Sequence, residues 1–198
     1  MRIIAGKYRG WKLTSPPSLQ TRPTSDRLRE TLFNILAPGI EGARFLDLCA
    51  GSGAVGIEAL SRGGSHVTFV DQSRKMCELI KVNIAALGVV ESQVNVVNSE
   101  VRAFLGSCDR KQPEASLTVG PRPRLDRFDI IFFDPPYATD YEGVLNYIGH
   151  HPARFLAEDA VMIVEHYRKK VLAEEIGPLK RYRVVKQGDS ALSFYEAT

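Results

Sequence analysis

Beyond Ala43 the chain alternates short apolar runs with longer stretches whose apolar residues recur every three or four positions. The runs "ARFLDLC", "HVTFVD", "QVNVVN", "FDIIFF" and "AVMIVEH" read as strands, and "AVGIEALSRG", "SRKMCELIKVNIAALG", "VRAFLG" and "YEGVLNYIGHH" read as helices. The run ending at Phe133 lacks the alternation of a half-exposed strand, which is how a strand buried on both faces of a parallel sheet reads. Strands that alternate with helices predict parallel pairing and an α/β, doubly wound sheet. "RYRVVKQ" and "ALSFYEA", joined by "GDS", add an antiparallel hairpin at one edge and bring the expected strands to seven.

The first 42 residues follow another pattern. "RIIAGKYRGWKL" alternates loosely around two glycines and predicts a small β-hairpin or ribbon. "TSPPSLQTRP" is an extended, proline-punctuated stretch, and "TSDRLRETLFNIL" predicts a helix capped by Thr24 or Ser25. Its apolar stripe is Leu28, Leu32, Ile35 and Leu36, and Pro38-Gly39 ends it. The expected division is an N-terminal extension, 1–42, and a main domain, 43–198. Within the latter, 107–127 is a loop insertion rich in proline, serine and charge, either disordered or facing the substrate.

Composition narrows the class. With 44% apolar and 25% charged residues in 198, the chain suits one globular domain with a small appendage. No segment approaches a membrane span, and "MRIIAGKYRG" lacks the apolar core of a secretory signal, so the expected compartment is the cytoplasm. Cys49, Cys77 and Cys108 fit neither a disulfide framework nor a zinc site and read as buried or incidental thiols; no metal is expected. Nothing in the pattern calls for an oligomer, and a monomer is expected. Net charge is only +3, yet residues 1–30 carry seven basic side chains (Arg2, Lys7, Arg9, Lys12, Arg22, Arg27, Arg29) against Asp26 and Glu30. A basic arm on a near-neutral body suggests a polyanionic partner, with a merely solvated surface as the plain alternative.

The chemistry gathers at strand ends. In "FLDLCAGSGAVGIEAL" a glycine turn links the first strand to a helix, where Gly51 and Gly53 let a ligand approach the backbone and the helix start offers N–H groups. Asp47 ends that strand and can reach a cation or hydroxyl, and Asp71 ends the second strand, where an acid commonly meets a ribose diol. "GSGAVG" formally fits a dinucleotide fingerprint, so on this motif alone a nicotinamide enzyme stays open. The run through Phe133 then stops at "DPPY", placing Asp134 and Tyr137 on a stiff turn where Pro135 and Pro136 cannot donate hydrogen bonds.

D-L-x-x-G-S-G, the acid at Asp71 and the terminal D-P-P-Y together resemble the S-adenosylmethionine-dependent methyltransferases that modify exocyclic amines. That resemblance implies that Asp47, Gly51, Ser52 and Gly53 flank the methionyl group of S-adenosyl-L-methionine, which leaves as S-adenosyl-L-homocysteine. It implies that Asp71 binds the ribose, and that Glu100 and the Val101 backbone approach the adenine. Relatives commonly have Asp-Ala where this chain has "SEV", so Glu100 reads equally well as a helix-start acid. Asp134 and the Pro135 carbonyl would each accept an N–H of the amine, Asp134 would take the shed proton, and Tyr137 would stack on the base. "RIIAG…RG", "TRPTSDR", "ALSRG", "VEH" and "GDSALSFY" further resemble the RsmD family, which methylates the 2-amino group of one guanine in 16S ribosomal RNA. The fold so implied is a Rossmann-like class I methyltransferase, with the small ribosomal subunit or an assembly intermediate as partner. Arg2, Lys7, Arg9 and Lys12 would meet phosphates, and Arg22, Thr24 and Arg27 would lie over the cofactor pocket. Arg29 is expected to be a solvated residue on a structural helix. Two readings stay open beside this one: a DNA adenine methyltransferase, and a non-catalytic assembly factor with a vestigial pocket.

Overall fold

The apolar runs pair edge to edge in a computed structural model of the chain, which describes residues 1–15, 25–108, 127–136 and 140–197. The strands are β1 (Arg44–Leu48), β2 (His66–Asp71), β3 (Val94–Asn98), β4 (Phe128–Phe133), β5 (Leu156–Tyr167), β6 (Glu175–Ile176), β7 (Leu179–Gln187) and β8 (Ser190–Ala197). They form one sheet in the order β3-β2-β1-β4-β5-β8-β7-β6, parallel from β3 through β5 and antiparallel from β5 onward. Among the described residues eight strands stand where seven were expected. The extra one is the two-residue β6, whose "EI" is too short to register as a period, and which pairs only with the start of β7.

Helices cover both faces. Helices α1 (Asp26–Leu36), α2 (Ala54–Ser61) and α3 (Arg74–Ala86) pack with the N-terminal arm on one face, around Phe45, Phe69, Phe132 and Phe194. On the other face α4 (Val101–Ser107), α5 (Tyr141–His150) and the short α6 (Pro152–Phe155) pack around Leu46, Val70, Phe133 and Tyr195. Alternate residues of β1 thus enter opposite cores, and this burial on both faces explains the unbroken apolar runs. Ser25, rather than Thr24, is seen to cap α1, accepting the Leu28 N–H at 3.1 Å. Arg22, Thr24, Tyr137 and most of the 107–127 insertion lie outside the described residues.

The expected N-terminal hairpin is a short one, in which Arg2 bridges Lys12 antiparallel. The Ile3 N–H donates to the Trp11 carbonyl (2.9 Å), the Gly10 N–H to the Ile3 carbonyl (2.9 Å) and the Leu13 N–H to the Met1 carbonyl (3.0 Å), and the ribbon so formed is bonded in turn to α2. The Glu58 carboxylate of α2 accepts the Ile4 N–H (2.8 Å) and the Ala5 N–H (3.0 Å), and the Ser61 hydroxyl accepts the Tyr8 N–H at 2.9 Å. Gly6 has φ +82°, and a Cβ there would overlap the Ser61 carbonyl, so only glycine lets the arm lie this close. Ile3 and Leu13 of the arm and Leu28, Leu32 and Phe33 of α1 belong to the same core as the sheet.

Candidate active site

The register of the parallel strands lines up their carboxyl ends. Leu48 lies opposite Val70 on one side and Phe133 on the other, so the next residues, Cys49, Asp71 and Asp134, fall along one edge. The Asp134 N–H reaches back to the Leu48 carbonyl (3.3 Å) and the Ala50 N–H to the Val70 carbonyl (3.0 Å), holding the three strand ends together. Cys49 turns the chain with φ +65°, a left-handed conformation uncommon for a non-glycine residue, and so starts the glycine loop. Burial pushes the Cys49 thiol up, and the carboxylates of Asp71, Asp134, Asp47 and Glu100 push it further. The four acids singled out from the sequence therefore converge on one point.

Each acid is held differently. Asp71 accepts the Gly51 N–H (Oδ2, 2.8 Å) and the Ser73 N–H (Oδ1, 2.8 Å), so it fixes the glycine loop to the end of β2. Each of its oxygens keeps a further lone pair for a hydroxyl. Asp47, 2% exposed, accepts the Gly56 N–H at 2.9 Å, and burial, with repulsion from Asp71 behind it, pushes its carboxyl up to about 7. Glu100 caps α4 by accepting the Ala103 N–H at 3.0 Å, which is the helix-start role, and Val101 is the first residue of that helix. A Cβ on Gly51 would meet nothing within 4 Å, whereas one on Gly56 would run into Phe69 and Val67. The loop thus has open space at its outer glycine and close helix–strand packing at its last. Ser52 is tied down on both sides: its carbonyl accepts from Asn83 (3.3 Å) and its hydroxyl faces the Met1 sulfur (3.8 Å).

At the end of β4, Pro135 is buried, and its carbonyl accepts the Tyr141 hydroxyl at 3.4 Å. Tyr141 is itself clamped edge-on against Phe133, ring centroids 6.0 Å apart, with the Lys170 ammonium 4.1 Å above its ring. Tyr141 was not anticipated from the sequence; it reads there as an ordinary first-turn residue of α5, and nothing local announces that it supports Pro135.

Arg2, Lys7, Arg9, Lys12 and Arg27 are exposed, beside a half-exposed Trp11. Arg29 is a correction: its side chain is fully buried rather than solvated. It donates to the Arg2 carbonyl and to Asp26 (3.1 Å), with its Nε 3.7 Å from Glu58. The reason is Glu58, also buried, which draws Arg29 and Arg62 (2.8 Å) together beneath the arm. Glu58 was missed as well, although an acid in the otherwise apolar "AVGIEAL" was the available signal. Among the described residues no group of His, Cys, Asp or Glu is arranged to hold a metal ion, and no helix is long and apolar enough to cross a membrane.

A family model described as Conserved hypothetical protein 95 matches residues 1–196. Ribosomal RNA small subunit methyltransferase D of Escherichia coli strain K12 is 38% identical over 166 residues, covering 83% of this chain and 74% of that protein. The chain belongs to the RsmD family of methyltransferases. YlbH of Bacillus subtilis, named as an rRNA methyltransferase, is 34% identical over 99% of this chain and 98% of its own length. The solved structure of yhhF from Escherichia coli superposes with a TM-score of 0.80 at 33% identity, over 100% of this chain and 97% of that one. The sheet of this RsmD-family chain is accordingly that of a class I methyltransferase with an antiparallel edge.

Proposed function

We propose that the chain transfers a methyl group from S-adenosyl-L-methionine to the exocyclic 2-amino group of a guanine in 16S ribosomal RNA. The observation that carries this is the adjacency of the glycine loop and Asp134 at the ends of the paired strands β1 and β4. The residues fit the cofactor: the open space at Gly51 admits a ligand to the backbone, and the costly charge of Asp47 suits a cationic amino acid group. Asp47, Gly51, Ser52 and Gly53 would hold the methionyl part, Asp71 the ribose, and Val101 with the outer face of Glu100 the adenine. When bound, S-adenosyl-L-methionine supplies a methyl group on a sulfonium.

The chain's own work is on the amine. An aryl amine is a poor nucleophile because its lone pair is delocalised into the base. Asp134 and the Pro135 carbonyl each accept one of its N–H groups, which turns the nitrogen towards tetrahedral geometry and frees the lone pair, positioning worth several kcal/mol (~5). Tyr141 fixes the carbonyl while leaving its second lone pair for the amine. Asp134 receives the proton that the amine sheds. The name carried by the Escherichia coli relative supports ribosomal RNA as substrate, and the exposed arm cations suit its phosphates.

The test is transfer of labelled methyl to undermethylated 30S particles, bare 16S RNA and duplex DNA, with mass spectrometry of the nucleosides. N2-methylguanosine from the ribosomal substrates is expected, together with a drop in kcat of at least about a hundredfold for Asp134→Ala. Methyladenine in DNA, or an Asp134→Ala protein at the wild-type rate, would overturn the reading.

A further inference from the structure

The strand β5 passes the end of β4, runs on to Tyr167 and turns through Arg168, Lys169 and Lys170 at the same edge of the sheet as Asp134. All three basic residues are exposed, but the turn that carries them is tightly held. The Lys170 N–H closes it onto the Tyr167 carbonyl at 2.8 Å. The Arg168 N–H donates to the Asp189 carbonyl (2.7 Å) and its guanidinium to the Gly188 carbonyl (3.2 Å), which locks the turn to the loop between β7 and β8. Just beyond, Leu172 is buried, its carbonyl accepts from Arg181 (2.8 Å), and the Tyr195 hydroxyl donates to the Ala173 carbonyl (2.8 Å).

Arg168 is committed to the Gly188 carbonyl and Lys170 rests on the Tyr141 ring, but the charge of neither lysine of the turn is neutralised. Among the described residues neither Lys169 nor Lys170 has an ion-pair partner, while nearby acids are matched elsewhere, Glu174 with Arg181 and Asp140 with Arg102. Lys186 joins them: it pairs with Ala191, which pairs with His166, so Lys186 and His166 share one face of the sheet. Burial lowers the pKa of His166, and the charges of Arg181, Lys170 and Lys186 depress it further, as expected of cations gathered over one site. Lys170 also touches the reaction centre indirectly, since its ammonium rests on the Tyr141 ring and the Tyr141 hydroxyl holds the Pro135 carbonyl.

We infer that Lys169, Lys170 and Lys186 form a second phosphate-binding surface, which grips the RNA backbone beside the flipped guanine on the face of the sheet opposite the N-terminal arm. This inference rests on the rRNA reading above. The arm lies with α1 to α3 on one face, and this turn lies with α4 and α5 on the other. A strand crossing the carboxyl ends of the strands would meet these lysines on one face and, on the other, Arg2 and Lys12, which bridge each other next to Met1 and so near Ser52 of the glycine loop. Lys170, already resting on the Tyr141 ring, loses little freedom on binding, and each phosphate contact adds about 0.7 to the salt dependence of a single strand.

The experiment compares Lys169→Glu/Lys170→Glu with Lys81→Glu, a charge reversal on the exposed face of α3. Affinity for 16S RNA transcript is measured from low to high salt, and affinity for S-adenosyl-L-methionine by calorimetry. For the double variant, RNA affinity at moderate salt is expected to fall at least tenfold and the salt slope by about 1.4. Cofactor affinity and the Lys81→Glu slope are expected to stay within experimental error of the wild type. If the wild type binds RNA with a steep salt slope and the double variant matches it, or if Lys81→Glu loses as much, this surface is wrong and the rRNA reading survives. If the wild type neither binds nor methylates the RNA, the rRNA reading falls and takes the surface with it.

Discussion

Helix α2 carries one buried carboxylate, Glu58, in its second turn and has another, Asp47, against the Gly56 N–H of its first turn, and the protein answers them very differently. Near its base, Glu58 receives N–H groups from Ile4, Ala5 and Arg62 and has Arg29 3.7 Å away. At its tip, Asp47 receives the Gly56 N–H, and its nearest charged influence is another acid, Asp71. Burying a charge is costly unless it is paired and hydrogen-bonded. The base meets that condition several times over, and the tip does not. The contrast separates an anchor from a receptor: Glu58 mounts the arm on the helix, whereas Asp47 sits under a loop with open space beside it, holding a charge that an incoming cation could satisfy.

The strongest way to break this contrast is at the base. Glu58→Ala would leave the Arg29 guanidinium buried without its acid and the Ile4 and Ala5 N–H groups without an acceptor. A stability loss of about 3–5 kcal/mol in chemical denaturation is expected. Glu58→Gln should lose less, since an amide oxygen still accepts from the arm. A loss under about 1 kcal/mol for the alanine variant would mean that the arginines and the arm hold without Glu58. Gly6→Ala attacks the same joint from the other side, because its Cβ would overlap the Ser61 carbonyl at a φ suited to glycine. The arm should lift off at about 1–3 kcal/mol while the sheet stays folded. Hydrogen exchange reads this directly: protection should vanish at the Ile3 and Leu13 amides and persist in β1. Protection retained at Ile3 would refute close docking through Gly6.

How far the sequence spoke follows the same division. The strand ends were legible because a strand buried on both faces must be apolar until it stops. Asp47, Asp71 and Asp134 were therefore visible as the first acids after unbroken runs. Their order along the chain became an order in space through parallel pairing alone. The base was not legible in the same way. Whether Arg29 is buried depends on the arm folding over it, a contact between residues far apart in sequence that no helical period encodes. In α2 all eight residues are buried, so Glu58 stood out as an acid in an apolar helix, but its partners Ile4 and Ala5 lie more than fifty residues away and no local pattern names them. The Arg168–Lys170 turn escaped for a third reason. Counting charge by segment singled out the arm, whereas these three consecutive cations gain Lys186 and a place beside the end of β4 only when β5, β7 and the β7–β8 loop come together.

The gentlest probe sharpens the contrast at the tip. Asp47→Asn keeps an oxygen for the Gly56 N–H and removes the charge. In the wild type the folded carboxyl is raised to about 7 from an ordinary value of 3.8, so the folded state binds the proton more tightly than the unfolded state. The stability this confers is fully present below the unfolded value and is lost as pH rises through about 7. The difference in stability between Asp47→Asn and wild type should therefore grow in the variant's favour from pH 5 to pH 8, reaching on the order of 1 kcal/mol. Affinity for S-adenosyl-L-methionine should move the opposite way. The wild type should bind more tightly as Asp47 ionises, and the variant should bind weakly at every pH. A variant that gains stability and keeps full affinity would show that Asp47 is only a badly solvated structural acid. A variant that loses both would show that its charge, like that of Glu58, was already answered within the fold.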